Sequence, residues 1–156
     1  MIKDSGERRV FPTGAVRDMQ EGKGRCDLMP LDVVAQVLSS QNKQNQVVSY
    51  LGDFLKNGDT TSLYRALYRF LTVREWDTFT MILEAAKQFE EGAKKYGENN
   101  WQKGLPVNCY IDSAVRHYLK YLRGDADEPH DRAFVWNIMC CIWTVEHQSE
   151  EASHER

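Results

Sequence analysis

No part of this 156-residue sequence stays apolar for long. The longest runs, such as Ile138 to Trp143, fall far short of the ~20 residues that cross a bilayer, and the opening MIKDSGERR holds no apolar leader. A soluble, intracellular protein is expected. Charge of one sign is also lacking, because 20 Lys and Arg stand against 23 Asp and Glu. The resulting pI near 5.8 argues against a nucleic-acid coat, which needs a basic surface. Glycine (10) and proline (4) are scarce, which favours helices. The four cysteines, Cys26, Cys109, Cys140 and Cys141, form no CxxC pair, so they read as reduced packing thiols and exclude a zinc deaminase. HExxH, GxSxG, a Walker loop and a Gly-rich dinucleotide loop are all missing. No repeat, heptad seam or low-complexity block appears.

What remains fits one domain able to bury an ordinary core. Residues 1–29 are polar and glycine-bearing without helical or strand period, and read as an extended arm with local turns. Residues 30–147 read as an all-α bundle of five or six helices, and 148–156 as a disordered tail. Pro30 opens a helix over LDVVAQVLSS, Gln41 to Gln46 is a linker, and a second helix covers 46–56 and stops at Asn57-Gly58. Thr60, Thr61 or Ser62 caps a third, with Leu63, Ala66, Leu67, Phe70 and Leu71 on its core face. A fourth runs from about Glu75 to Tyr96-Gly97, with Phe79, Ile82, Leu83, Ala86, Phe89 and Ala93 as its buried stripe. Asp112 or Ser113 opens a fifth, which Arg123-Gly124 stops, and Pro129 introduces a sixth that ends near Val145.

Three groups of residues suggest chemistry. Glu84 and Glu91 lie two turns apart on one helical face, roughly 10 Å along the axis, half of a carboxylate site for a hard cation. A solvated helix face would show the same spacing, and Lys87 stands one turn after Glu84. Asp125, Asp127, Glu128, His130 and Asp131 crowd the start of the sixth helix, where acids also serve the helix dipole. Asn137, within an apolar run, needs a hydrogen bond or a ligand. Lys94, Lys95, Asn100, Trp101 and Lys103, with Arg116 and His117, offer cations, an amide and an aromatic suited to a nucleotide. A basic loop balancing an acidic helix has the same composition.

Four blocks, GAVRDMQEGKGRCDLMPLDVV (14–34), EEGAKKYGENNWQKGLP (90–106), DSAVRHYLKYLRGD (112–125) and DEPHDRAFVWN (127–137), resemble the dATP/dGTP diphosphohydrolases. These MazZ-like proteins are related to the all-α MazG-type nucleoside triphosphate pyrophosphohydrolases. The resemblance implies a MazG-like bundle that cleaves a purine deoxynucleoside triphosphate to monophosphate and pyrophosphate. It further implies two or more Mg²⁺ or Mn²⁺ ions that bridge the phosphates and activate water. Glu84, Glu91, Glu128, Asp131, Asn137 and His130 are then the metal candidates, with Glu84, Glu91 and His117 as catalytic groups. Lys94, Lys95, Lys103 and Arg116 fall to the triphosphate, and Trp101 and Asn100 to the nucleoside. The arm would fold over the site with Arg17, Lys23, Arg25 or Asp27 reaching substrate. Two departures stand out: Lys87 interrupts the ExxE of MazG-type enzymes, while Glu128-Pro-His-Asp131 matches their ExxD at the helix start.

By the same resemblance the chain is cytoplasmic, in a bacterial cell or a phage-infected host. It acts in pool sanitation, or in a phage pathway that removes dATP or feeds dGMP toward diaminopurine nucleotides. It is also expected to be a homodimer or homotetramer, with Tyr50, Phe54, Tyr64 and Tyr68 as contact candidates. No membrane or nucleic-acid partner is expected. The competing function is a nucleotide-binding regulatory or interaction module without turnover, which Lys87 favours and the acidic cluster opposes.

Overall fold

The computed structural model describes residues 6–40, 46–73 and 77–154, with side chains through 148. Its helices begin where a side chain accepts a first-turn amide or where a proline sets the entry. Pro30 precedes α1 (Leu31–Ser40), and α2 (Gln46–Asn57) ends at Gly58, whose φ of 69° closes the last turn through a bond to the Phe54 carbonyl. In α3 (Thr60–Thr72) the cap is Asp59, one residue before the expected hydroxyls, accepting from Thr61 N–H at 2.9 Å. Asp77 likewise caps α4 (Thr78–Tyr96) through the Thr80 N–H and hydroxyl. Glu75, where that helix was expected to begin, and linker positions 41–45 lie outside the described residues.

Two boundaries differ from the pattern reading. The fifth helix, α5 (Val107–Arg123), starts behind Pro106, which fits a helix entry because its fixed φ suits the first turn and its missing N–H costs nothing there. Asp112 therefore lies inside the helix and caps nothing. The sixth, α6 (His130–His154), continues past Val145, so helical backbone reaches into the segment expected to be a tail.

Helices α5 and α6 pack along each other at the centre, with α3 against α6 and α2 against α3 and α5. Phe70, Tyr118 and Phe134 meet there at ring distances of 4.5 to 6.1 Å, all essentially without solvent. On α3 the expected face is buried at Leu63, Ala66, Leu67 and Phe70, with Leu71 half-buried. Phe54 is also core, so it is not available for a subunit contact, whereas Tyr68 is 58% exposed. Cys109, Cys140 and Cys141 are buried free thiols and Cys26 is half-buried.

The fourth helix departs from its expected stripe in its first half, whereas Phe89 packs on the core and Ala93 is half-buried, as expected. It buries Met81 and Ala85, while Phe79, Ile82 and Leu83 are 80%, 45% and 68% exposed. Arg132 of α6 selects this face: it pairs with Glu91 and Glu84 and donates to Gln88 at 3.1 Å, three residues on one row of α4.

The arm is a hairpin. Strands β1 (Arg8–Val10) and β2 (Val16–Asp18) pair antiparallel, Arg9 opposite Arg17, around a turn in which Gly14 takes φ 82°. Three-residue strands are too short to show alternation, which is why the sequence reads as unstructured there. The Asn100 amide accepts from Val16 N–H and donates to Val16 C=O, both at 2.8 Å, fixing β2 to the short 3-10 helix Asn100–Lys103. Ala15 is fully buried against the bundle. No helix of the described residues is long and apolar enough to cross a membrane.

Candidate active site

The site is built on one face of α5. Asp112, Ser113, Arg116 and His117 fall at i, i+1, i+4 and i+5, so helical periodicity turns all four toward the arm. Asp112 is 3% exposed and ties three segments together. It accepts from the Gln20 amide at 2.9 Å, the Cys26 N–H at 2.6 Å and Arg116 Nη2 at 2.6 Å. Arg116 in turn donates to the carbonyls of Lys23 and Gly24. The arm is thereby held over a cleft of about 1010 Å³ walled by α4, α5, α6 and the hairpin.

Among the described residues, three cations on this cleft are paired with no carboxylate: Arg9, which donates to the Asp18 carbonyl and to Gln20 Oε1, Arg17 and Lys23. Arg17 sits over the Tyr110 and Trp136 rings and donates to two neutral oxygens, Ser113 Oγ and Asn137 Oδ1, each at 2.8 Å. Among the described residues its Nη1 has no acceptor, and neither does Trp136 Nε1 in the same wall. Lys23 is pushed below the ordinary lysine range by burial and, against the opposing pull of Asp18, by the charges of Arg116, Lys95 and Arg17. Lys95 also faces the cleft but is bonded to Asp18 at 2.7 Å. Burial raises the Asp18 carboxyl, yet the bonds from Lys95 and Tyr96 and the charges of Lys95 and Arg8 prevail and hold it below the usual range.

The adjoining wall is built of histidines and carboxylates. His117 Nδ1 and His130 Nδ1 stand 3.0 Å apart, and His130 Nε2 is 2.7 Å from Asp127 Oδ1. Glu128 Oε1 lies 3.8 Å from His117 and 3.6 Å from His130. Burial first, then His130 and the charges of Arg116, Arg17 and Lys120, push the His117 imidazole down to about 3, so it is neutral at pH 7. The cleft thus joins an end with uncompensated positive charge to an end with lone-pair donors.

A family model described as dATP/dGTP diphosphohydrolase, N-terminal, matches residues 59–154. The chain belongs to this family. No curated protein and no solved structure matches it. The match spans α3 to α6 and leaves out the arm that carries Arg17 and Lys23.

In this member of the dATP/dGTP diphosphohydrolase family, the residues proposed from sequence fall into separate groups. Arg17, Lys23, Lys95, Arg116, His117, Glu91, Glu128 and Asn137 line the large cleft. Glu84 and Glu91 do not converge with the histidine wall, because Arg132 bridges them and Lys87 pairs with Glu84 at 2.5 Å. Asn137 is spent on Arg17 and on the Ala133 carbonyl, and Asp131 accepts from the Arg132 N–H in the first turn of α6. His130 is buried beside Glu128 as described. Lys94 pairs with Glu90, Arg25 pairs with Asp27, and Lys103 is exposed; none of these three cations is in the cleft wall.

Trp101 stands edge-on to Phe89 and Trp143 at 5.5 and 5.0 Å and lines a separate recess of about 390 Å³. That recess shares Gly92, Tyr96, Asn100 and Trp136 with the large cleft. Asp112 and Arg132 were missed as organisers. The i, i+4 spacing of Asp112 and Arg116 was the available signal for the first, and nothing local marks the second.

Proposed function

We propose that the cleft binds a purine deoxynucleoside triphosphate and that the chain hydrolyses it to the monophosphate and pyrophosphate. Family membership supports the reaction class, and one observation supports the location: among the described residues Arg17 and Lys23, like Arg9, face the cleft without a paired carboxylate. A triphosphate supplies the missing negative charge, and preorganised cations serve best where charge develops on the departing pyrophosphate. Arg116 acts on substrate indirectly, since its donors hold the Lys23 and Gly24 carbonyls. The aromatic recess of Phe89, Tyr96, Trp101 and Trp136 takes the purine, whose faces stack on such rings.

A divalent ion belongs to this reading, and of the carboxylates first assigned to it the α4 pair does not fit as it stands. Glu84 and Glu91 are paired with Arg132 and Lys87, so an ion binding between them would first have to displace those cations. No step is routed through that pair. Self-association as a homodimer or dimer of dimers also belongs to the proposal, supported by the exposure of Phe79 and Leu83 on α4.

The test is pyrophosphate release from a panel of dNTPs and NTPs, with divalent metal and with chelator, comparing the full chain with Lys23→Ala. Purine deoxynucleotides should turn over in a metal-dependent way. A charge-assisted contact of about 1.5–3 kcal/mol predicts that kcat/KM falls by roughly 10- to 150-fold in the variant. Nucleotide binding without release would instead favour a binding module, the reading to which the arginine bridge across Glu84 and Glu91 lends support.

A further inference from the structure

Two clusters of potential ligands occur among the described residues, and they are not equivalent. In the first, Asp125, Asp127 and His130 lie together, but Arg123 bonds both oxygens of Asp125 and Lys120 approaches Asp127 at 3.8 Å. Its negative charge is already met. In the second, His117, Glu128 and His130, donor atoms from α5 and from the entry to α6 converge with no arginine or lysine paired to any of them.

The second cluster has the form of a coordination site. Two imidazole nitrogens bound to one ion at ~2.0–2.1 Å stand roughly 3.0–3.4 Å apart, and the Nδ1 atoms of His117 and His130 are 3.0 Å apart. Glu128 is a few tenths of an ångström wider, and its side chain, 49% exposed, has room to swing in. Asp127 completes the arrangement. A His130 Nε2–H donated to Asp127 leaves Nδ1 as the lone pair facing His117, and metal-binding imidazoles are commonly oriented by such a carboxylate.

We propose that His117, Glu128 and His130 form a three-ligand site for a transition-metal ion, with Asp127 as the residue that positions the His130 ring. Two imidazoles and one carboxylate suit ions such as Zn²⁺, Co²⁺ or Fe²⁺, whereas Mg²⁺ prefers an all-oxygen shell. The set keeps Glu128 and His130 of the ligands that the family resemblance implied, adds His117, and leaves out Glu84, Glu91, Asp131 and Asn137. His117 and Glu128 both line the large cleft, so an ion held there faces the same space as Arg17 and Lys23. The site does not rest on the nucleotide reading.

The experiment titrates the tag-free, chelator-treated full chain with Co²⁺ alone, following the visible spectrum, and then with Zn²⁺ and Mg²⁺ by calorimetry. One equivalent of Co²⁺ should give bands distinct from the aqua ion, Zn²⁺ should displace it, and tenfold more Mg²⁺ should not. Glu128→Gln, at a half-exposed position, should weaken Co²⁺ binding at least tenfold. Asp127→Asn should weaken it roughly 10- to 100-fold, and His117→Gln should abolish it, with circular dichroism confirming the fold of each. An aqua-like spectrum, or Glu128→Gln and His117→Gln binding like wild type, would overturn the proposal and leave a hydrogen-bonded histidine pair only. No nucleotide is present in this assay. Metal binding by a protein that hydrolyses nothing would therefore sustain the site while counting against the hydrolase.

Discussion

Removing the Asp112 carboxylate should release the arm and cost more than any other single change on the α5 face. The side chain is 4% exposed and accepts three hydrogen bonds, from Gln20, Cys26 and Arg116. Deleting one member of a buried charge pair costs about 3–5 kcal/mol, because the surviving charge stays desolvated. Asp112→Ala also leaves the Cys26 N–H without its acceptor, while Arg116 keeps the two arm carbonyls, so the middle of that range is expected. At a urea dependence of about 2 kcal/mol/M the midpoint should fall by roughly 2 M. Asp112→Asn keeps the shape and one acceptor and should lose about half as much. The arm carries Arg9, Arg17, Lys23 and Arg25, so trypsin should cut it well before the bundle in both variants. A midpoint shift under about 0.5 M for Asp112→Ala, with unchanged arm cleavage, would refute the claim that this residue holds the arm in place.

Two further outcomes follow from the contacts described. Asp18 is held below the usual carboxylate range, so its contribution to stability is full above about pH 4 and is lost as pH falls through its depressed folded value. Asp18→Asn should accordingly lose less stability than wild type between pH 5 and 3, and identical acid profiles in urea melts would remove Asp18 from the account. On the exposed row of α4, Phe79→Glu with Leu83→Glu should convert a dimeric or tetrameric species to monomer in light scattering after size exclusion. The same mass for both proteins would place any subunit contact elsewhere.

The helices were legible wherever a local signal settles them. Pro30, Asn57-Gly58, Tyr96-Gly97 and Pro129 mark ends found in the structure, because caps and breakers act within one turn. The inward face at the start of α4 was not legible, since two apolar rows compete on one helix and the chooser, Arg132, lies 41 residues beyond Glu91. Asp112 looked like a cap for the same reason: its decisive partner, Cys26, is 86 residues away. Residue type brought His117, Glu128 and His130 into view as candidates, but only the packing of α5 on α6 places their nitrogen and oxygen atoms together. The hairpin needed the Asn100 clamp, a contact between residues 84 apart.

Product analysis in oxygen-18 water with dGTP or dATP tests the hydrolysis itself. The account predicts equal amounts of monophosphate and pyrophosphate, with the label on the phosphorus of the monophosphate, because water attacks the α-phosphorus. Diphosphate with labelled inorganic phosphate, deoxynucleoside with free triphosphate, or no turnover despite nucleotide binding would contradict it.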